Sequence, residues 1–171
     1  MDSPSYLEGS DNLPVEEVDW ADAVYFCSKL NELYGDSLPS GYHYTLLTEA
    51  QWEYACRAGT KTAYSFGDDP AKLDQYAWFF ENTDEAYQPV GKKQPNPWGL
   101  YDMHGNVAEW VLDQYAADYY SRTGNTVDPL NIPTKIFPRV VRGGGWDDDP
   151  EMLRSAARNS SSEEWKDQDP Q

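Results

Sequence analysis

Cysteine is scarce in this chain of 171 residues: Cys27 and Cys56 are the only two. That count excludes a disulfide scaffold, and the absence of a Cys-x-x-Cys pair argues against a redox centre. Both residues sit in apolar patterns of helical period, which predicts two buried thiols; the sequence alone leaves a bridge between them open. Histidine is as rare, with His43 and His104 alone. A non-haem iron centre of two histidines and a carboxylate would need both to converge, and nothing in their positions suggests that they do. Ser155 and Ser160–Ser162 have no histidine nearby in sequence, so no nucleophilic triad is arguable. Basic side chains are outnumbered, 13 Lys and Arg against 30 Asp and Glu, for a net charge of −17. Nucleic acid and anionic membranes are poor partners for such a surface. No apolar run approaches the roughly 20 residues of a membrane-spanning helix. No signal peptide is visible, and the sequence does not specify a compartment.

What is present is aromatic. Phe, Trp and Tyr make up 15% of the residues, with seven Trp and thirteen Tyr, and this argues for a packed core despite a mean hydropathy of −0.81. The length suits one domain, read as residues 1–171 with a polar arm over 1–13 and a polar tail over 159–171. Twelve Gly and twelve Pro predict short elements joined by many loops. Asp19, with Asp22 three residues on, opens a helix whose stripe Trp20, Val24, Cys27, Leu30 and Tyr34 predicts core packing, with Gly35 as its stop. Thr48 and Gln51 form a capping box for a second helix that ends near Gly59. Residues 41–47 and 62–66 read as short strands, as does Arg139–Arg142. Residues 115–138 read as a long polar loop.

The segment Gly99-Leu-Tyr-Asp-Met-His-Gly-Asn-Val-Ala-Glu-Trp110 carries the most chemistry. Asp102 and Glu109 offer carboxylate oxygens, and Gly105 permits a sharp turn between them. Oxygens converging from a short loop suit a hard cation such as Ca²⁺. A second acidic group, Asp147, Asp148 and Asp149, follows Trp146 and precedes Arg154. Trp146, Asp147, Asp148 and Arg154 are the candidate lining of a ligand cleft, together with Trp78, whereas Trp110 reads better as core. The plainer alternative for the acidic run is a solvated loop.

Five pieces in order resemble the formylglycine-generating enzyme/sulfatase-modifying factor family. They are Pro14-Val15 with Val18-Asp-Trp-Ala-Asp-Ala23; Leu46-Leu-Thr-Glu-Ala-Gln-Trp-Glu-Tyr-Ala55; Pro89-Val-Gly91 with Pro95-Asn-Pro-Trp-Gly-Leu-Tyr-Asp102; Gly105-Asn-Val-Ala-Glu-Trp110; and Arg139-Val-Val-Arg-Gly-Gly144. The resemblance implies an α+β, compact, C-type-lectin-like fold with short strands, two main helices and many ordered loops. It also implies that the chain is truncated at both ends. In that family a calcium site matches the side chains of Asp102 and Glu109 with the carbonyls of Gly105 and Val107. The family's oxidase chemistry uses a copper-binding cysteine pair shortly after the Arg-Gly-Gly strand. The matching stretch here, Gly145–Leu153, has no cysteine, so copper is not expected. The resemblance therefore implies a calcium-stabilised module that binds a peptide, protein or small ligand. Two alternatives stay open: a sulfatase-modifying or divergent oxygen-using enzyme of the same family, and a lectin-like sugar binder.

Overall fold

The computed structural model describes residues 11–124 and 126–166. Its first helix, α1, spans Trp20–Tyr34 and opens on a reciprocal cap: Asp22 N–H donates to the Asp19 carboxylate at 2.9 Å, and Asp19 N–H donates to Asp22 at 3.1 Å. Helix α2, Glu49–Arg57, opens in the same way on Thr48 and Gln51 and stops at Ala58, which turns left-handed. A third short helix, α3, occupies Tyr119–Thr123 inside the stretch read as a polar loop. Among the described residues, three antiparallel strands pair in the order β1-β2-β3: Glu109–Gln114, Arg139–Arg142 and Asn159–Ser160. Glu109 faces Arg142 and Trp110 faces Val141, and the β1–β2 register then slips before Gln114 meets Arg139.

Several expectations need correction. No strand forms over 41–47, because the Asn31 side chain takes its backbone groups: Tyr44 N–H donates to Asn31 at 2.7 Å and Asn31 donates to the Tyr44 carbonyl at 2.8 Å. Residues 62–66 make only one bridge, Tyr64 to Gly67, since Thr62 and Asp68 side chains bond the neighbouring backbone. The α1 stripe buries no residue completely. Trp20 is half-buried, held by its ring N–H on the Val111 carbonyl at 2.8 Å and by the Arg139 guanidinium 3.7 Å from its ring centre. Tyr34 is exposed and Cys27 only half-buried. Gly35 does end α1, but in a right-handed conformation that leads into a 3-10 turn, Gly35–Ser37. Both cysteines are free thiols. Within the predicted polar tail, residues 159–166 supply β3, the buried Ser161 and a 3-10 turn, Glu163–Lys166. Most of the predicted polar arm, residues 1–10, and the end of the predicted tail, 167–171, lie outside the described residues.

Two apolar clusters form the core. One gathers Trp52, Cys56, Met103, Val111 and Val140; the other gathers Tyr64, Leu73, Ala77, Phe79 and Leu153. The 102–109 loop runs between them. Met103 plugs into the first, and Gly105 sits so close to the second that a Cβ there would meet Leu153 and run into the Trp78 carbonyl oxygen. Gly105 also has φ +90°, which an L side chain rarely adopts.

Candidate functional site

Asp102, Gly105, Val107 and Glu109 all line one cavity of about 380 Å³, together with residues that include Pro14, Val90 and Tyr101. The two carboxylates are fastened on one side each. Gly91 N–H donates to Asp102 Oδ2 at 2.8 Å, and Trp52 Nε1–H donates to Glu109 Oε2 at 2.6 Å. Asp102 Oδ1 is buried with no hydrogen-bond partner among the described residues. Burial pushes the Glu109 carboxyl up, the Trp52 hydrogen bond pulls it back, and the Asp102 charge raises it further. The pocket thus holds two acidic groups that repel each other and one buried oxygen in need of a donor or cation. No group of three or more His, Cys, Asp or Glu that could hold a metal occurs among the described residues. Any cation here would take two carboxylates and complete its shell with backbone carbonyls, a donor set that suits Ca²⁺ and not a thiolate- or imidazole-seeking metal.

The shape of the loop depends on a residue that sequence reasoning passed over. Asn106 is 1% exposed and has φ +70°. Its side chain accepts from Gln88 N–H at 2.8 Å and donates to the Gln88 carbonyl at 3.0 Å. Its backbone N–H reaches the Trp78 carbonyl, and its carbonyl accepts from Trp146 N–H, both at 2.8 Å. One asparagine therefore ties the loop to the 78–88 stretch and to the turn after β2. Asp102 is left-handed as well, at φ +53°. Asparagine and aspartate tolerate that region better than other non-glycine residues, which is the one signal that sequence offered here.

A second concavity, about 1090 Å³, lies alongside. It brings together Trp146, Asp147 and Asp148 of the predicted cleft. Arg154 is not among its lining residues; it is exposed and donates to the Glu151 carbonyl at 3.0 Å. The 3-10 turn Pro150–Leu153, which buries Leu153, lies between it and the acidic residues. Trp78 is absent from the lining too, whereas Trp110, expected in the core, is only half-buried and lines the groove. Burial pushes the Asp148 carboxyl up, Gly145 N–H holds it back at 2.9 Å, and Asp147 and Asp149 raise it again. Asn106, Val107 and Glu109 border both the cavity and the groove.

Beneath the sheet lies an ionic network that the sequence reading also missed. Glu49, 1% exposed, receives Arg158 through two hydrogen bonds of 2.7 and 2.8 Å and sits 3.7 Å from Arg142. Arg142 is itself 1% exposed, pairs with Glu53 at 2.7 Å, and donates to the Ser155 and Ala157 carbonyls. Asp113 accepts from Glu49 N–H and Asn131 N–H. Cys56 and His104 are buried beside this network. The imidazole donates from Nδ1 to the Leu153 carbonyl at 2.7 Å and accepts from Ser65 N–H at 3.1 Å. Burial holds its pKa down at about 4, so it is neutral at pH 7, while burial pushes the Cys56 thiol up to about 11. Neither is poised as a nucleophile or base. His43 is exposed and is not among the residues lining either concavity.

Residues 2–169 match the sulfatase-modifying factor enzyme 1-like domain. The chain is 34% identical over 173 residues to the formylglycine-generating enzyme of Streptomyces coelicolor, covering 92% of this chain and 51% of that protein. It is 33% identical over 150 residues to the serine/threonine-protein kinase pkn1 of Chlamydia pneumoniae, covering 87% of this chain and 22% of the kinase. Among solved structures, the Treponema denticola variable protein 1 superposes with a TM-score of 0.78 at 30% identity, covering 94% of this chain and 72% of that one. The chain therefore spans about half, or less, of these two curated relatives. The α+β architecture and the formylglycine-generating-enzyme type of fold both hold.

Proposed function

The chain belongs to the sulfatase-modifying factor family, and from that membership we propose that it serves as a calcium-stabilised recognition module without the family's copper-dependent oxidation. One observation carries the calcium reading: the buried, partnerless Asp102 Oδ1 inside a cavity bordered by all four expected ligand residues. Ca²⁺ would be held by the Asp102 and Glu109 carboxylates with the Gly105 and Val107 carbonyls. It would supply positive charge where two carboxylates are brought together, and so fasten the loop between the two core clusters.

The case against oxidation rests on residue chemistry. Cu(I) is held by soft thiolates, and Gly145–Leu153 contains none. Cys27 is on α1 and Cys56 is fully buried in α2, its thiol held protonated by its surroundings. What remains for function is recognition, and the groove lined by Trp146, Asp147 and Asp148 is the surface with the size and chemistry for it.

Two measurements test this reading. Titration with Cu(I), followed by incubation with oxygen and a peptide bearing the sulfatase cysteine motif, should give neither stoichiometric thiolate binding nor aldehyde product. Turnover would overturn the proposal. Thermal unfolding of Asp102→Ala should show a deficit in Ca²⁺ buffer that largely disappears in chelator, and an equal deficit in both buffers would sink the calcium reading.

A further inference from the structure

We propose that the groove takes a cationic peptide segment, with an arginine or lysine side chain lying against its tryptophans. This rests on the recognition reading above and names the chemistry of the ligand. Trp110, Trp146 and Trp165 line the groove. Trp110 is fixed by its ring N–H on the Val18 carbonyl at 3.0 Å, and its ring centre lies 5.8 Å from that of Trp165. The Trp146 backbone is pinned to Asn106 at 2.8 Å. An indole face held in place attracts a guanidinium or ammonium group through its ring quadrupole.

The charge around these rings has one sign. Every charged side chain lining the groove is acidic, and no Lys, Arg or His lines it among the described residues. Glu17, Asp22, Asp147 and Asp148 belong to this lining even when Glu109 is reserved for calcium. None of these four takes part in a salt bridge among the described residues. The neighbouring strand β2 does carry two arginines, but both are committed elsewhere. Arg139 lies over the Trp20 ring, and Arg142 is locked into the Glu49 and Glu53 network. Among the described residues, no cation is paired with Glu17, Asp22, Asp147 or Asp148 in a salt bridge.

Two alternatives fit less well. A bare metal ion needs converging oxygens, and the acidic residues of the groove form no cluster of three that could hold one among the described residues. A small amine would leave most of about 1090 Å³ unfilled. An extended peptide fills the length and presents its cation to the aromatic wall.

The test is a calorimetric titration in Ca²⁺ buffer at low and physiological salt. The probes are an acetylated and amidated Gly-Arg-Gly-Arg-Gly peptide and its Glu counterpart. The arginine peptide should bind saturably and the glutamate peptide should not. Asp147→Asn with Asp148→Asn should weaken binding at least fivefold, and Trp146→Ala should do the same. Glu32→Gln with Asp36→Asn, the same charge change at the other end of α1, should leave binding within twofold. Equal weakening by the groove pair and the α1 pair would reduce the effect to diffuse attraction and overturn the inference. So would the absence of saturable binding to the wild-type protein. Should Trp146→Ala fail to fold, the Asp147 and Asp148 pair still decides the outcome. Peptide binding that fails while Ca²⁺ still stabilises the protein refutes only the ligand chemistry. Oxidation of a cysteine peptide refutes the recognition reading itself.

Discussion

Replacing Glu49 with alanine should be among the most damaging single changes in the chain. Its carboxylate is 1% exposed and receives the Arg158 guanidinium through a two-pronged contact at 2.7 and 2.8 Å. It also lies 3.7 Å from Arg142, which is equally buried and would be left with Glu53 as its one acidic partner. Removing one member of a buried ionic group costs about 3–5 kcal/mol, because the remaining charges stay desolvated without compensation. For a chain of this size that is a fall in midpoint temperature of roughly 6–20 °C. Glu49→Gln keeps the volume and one acceptor oxygen but loses the charge, and should cost about 2–3 kcal/mol. Urea unfolding followed by tryptophan fluorescence measures both. Glu32→Ala, which removes an exposed partner of Lys29, serves as the control and should barely move the transition. If Glu49→Ala proves no worse than that control, the network is not a structural keystone.

Other consequences follow from the same geometry. Asn106→Ala removes both side-chain bonds to the part-buried Gln88 backbone, and a loss of about 1–3 kcal/mol in urea unfolding is expected, since it leaves those groups without their partner. Gly105→Ala places a Cβ against the Trp78 carbonyl at a positive φ, so it should unfold at far lower urea or fail to accumulate, with wild-type behaviour refuting the close approach. A thiol reagent added to the native protein should modify Cys27 well before Cys56, because only Cys56 is fully buried. Because the Cys56 thiol is raised from 9.0 to about 11 in the fold, the unfolded chain ionises first as pH rises. Its stabilising contribution is therefore complete below pH 9 and is lost between pH 9 and 11, by up to about 3 kcal/mol. Cys56→Ala should flatten that part of the stability profile, and an unchanged slope would count against it.

How legible all this was in the sequence depends on which interactions are local. The caps of α1 and α2 were readable because Asp19 with Asp22, and Thr48 with Gln51, lie three residues apart and bond within one turn. Strand β2 was readable from the Val140-Val141 pair, and the family resemblance pointed to Asp102, Gly105, Val107 and Glu109, which the fold brings to one cavity. The strand expected over 41–47 failed because a residue 13 positions earlier, Asn31, supplies the competing hydrogen bonds. Arg154 was placed in the cleft by proximity along the chain, yet the intervening 3-10 turn separates it from Asp147 and Asp148. The network of Glu49, Arg142 and Arg158 joins residues up to 109 positions apart, and charged side chains give no periodic sign that they will be buried. Asn106 escaped notice for the same reason: its partners at 78, 88 and 146 come from separate loops.

Whether the 102–109 loop holds calcium is decided by calorimetric titration of Ca²⁺ into chelator-stripped protein. One Ca²⁺ per chain should bind to the wild-type protein, with the heat lost in Asp102→Ala and in Glu109→Ala. No saturable binding to the wild type, or undiminished binding in both variants, would rule out a calcium site in this loop.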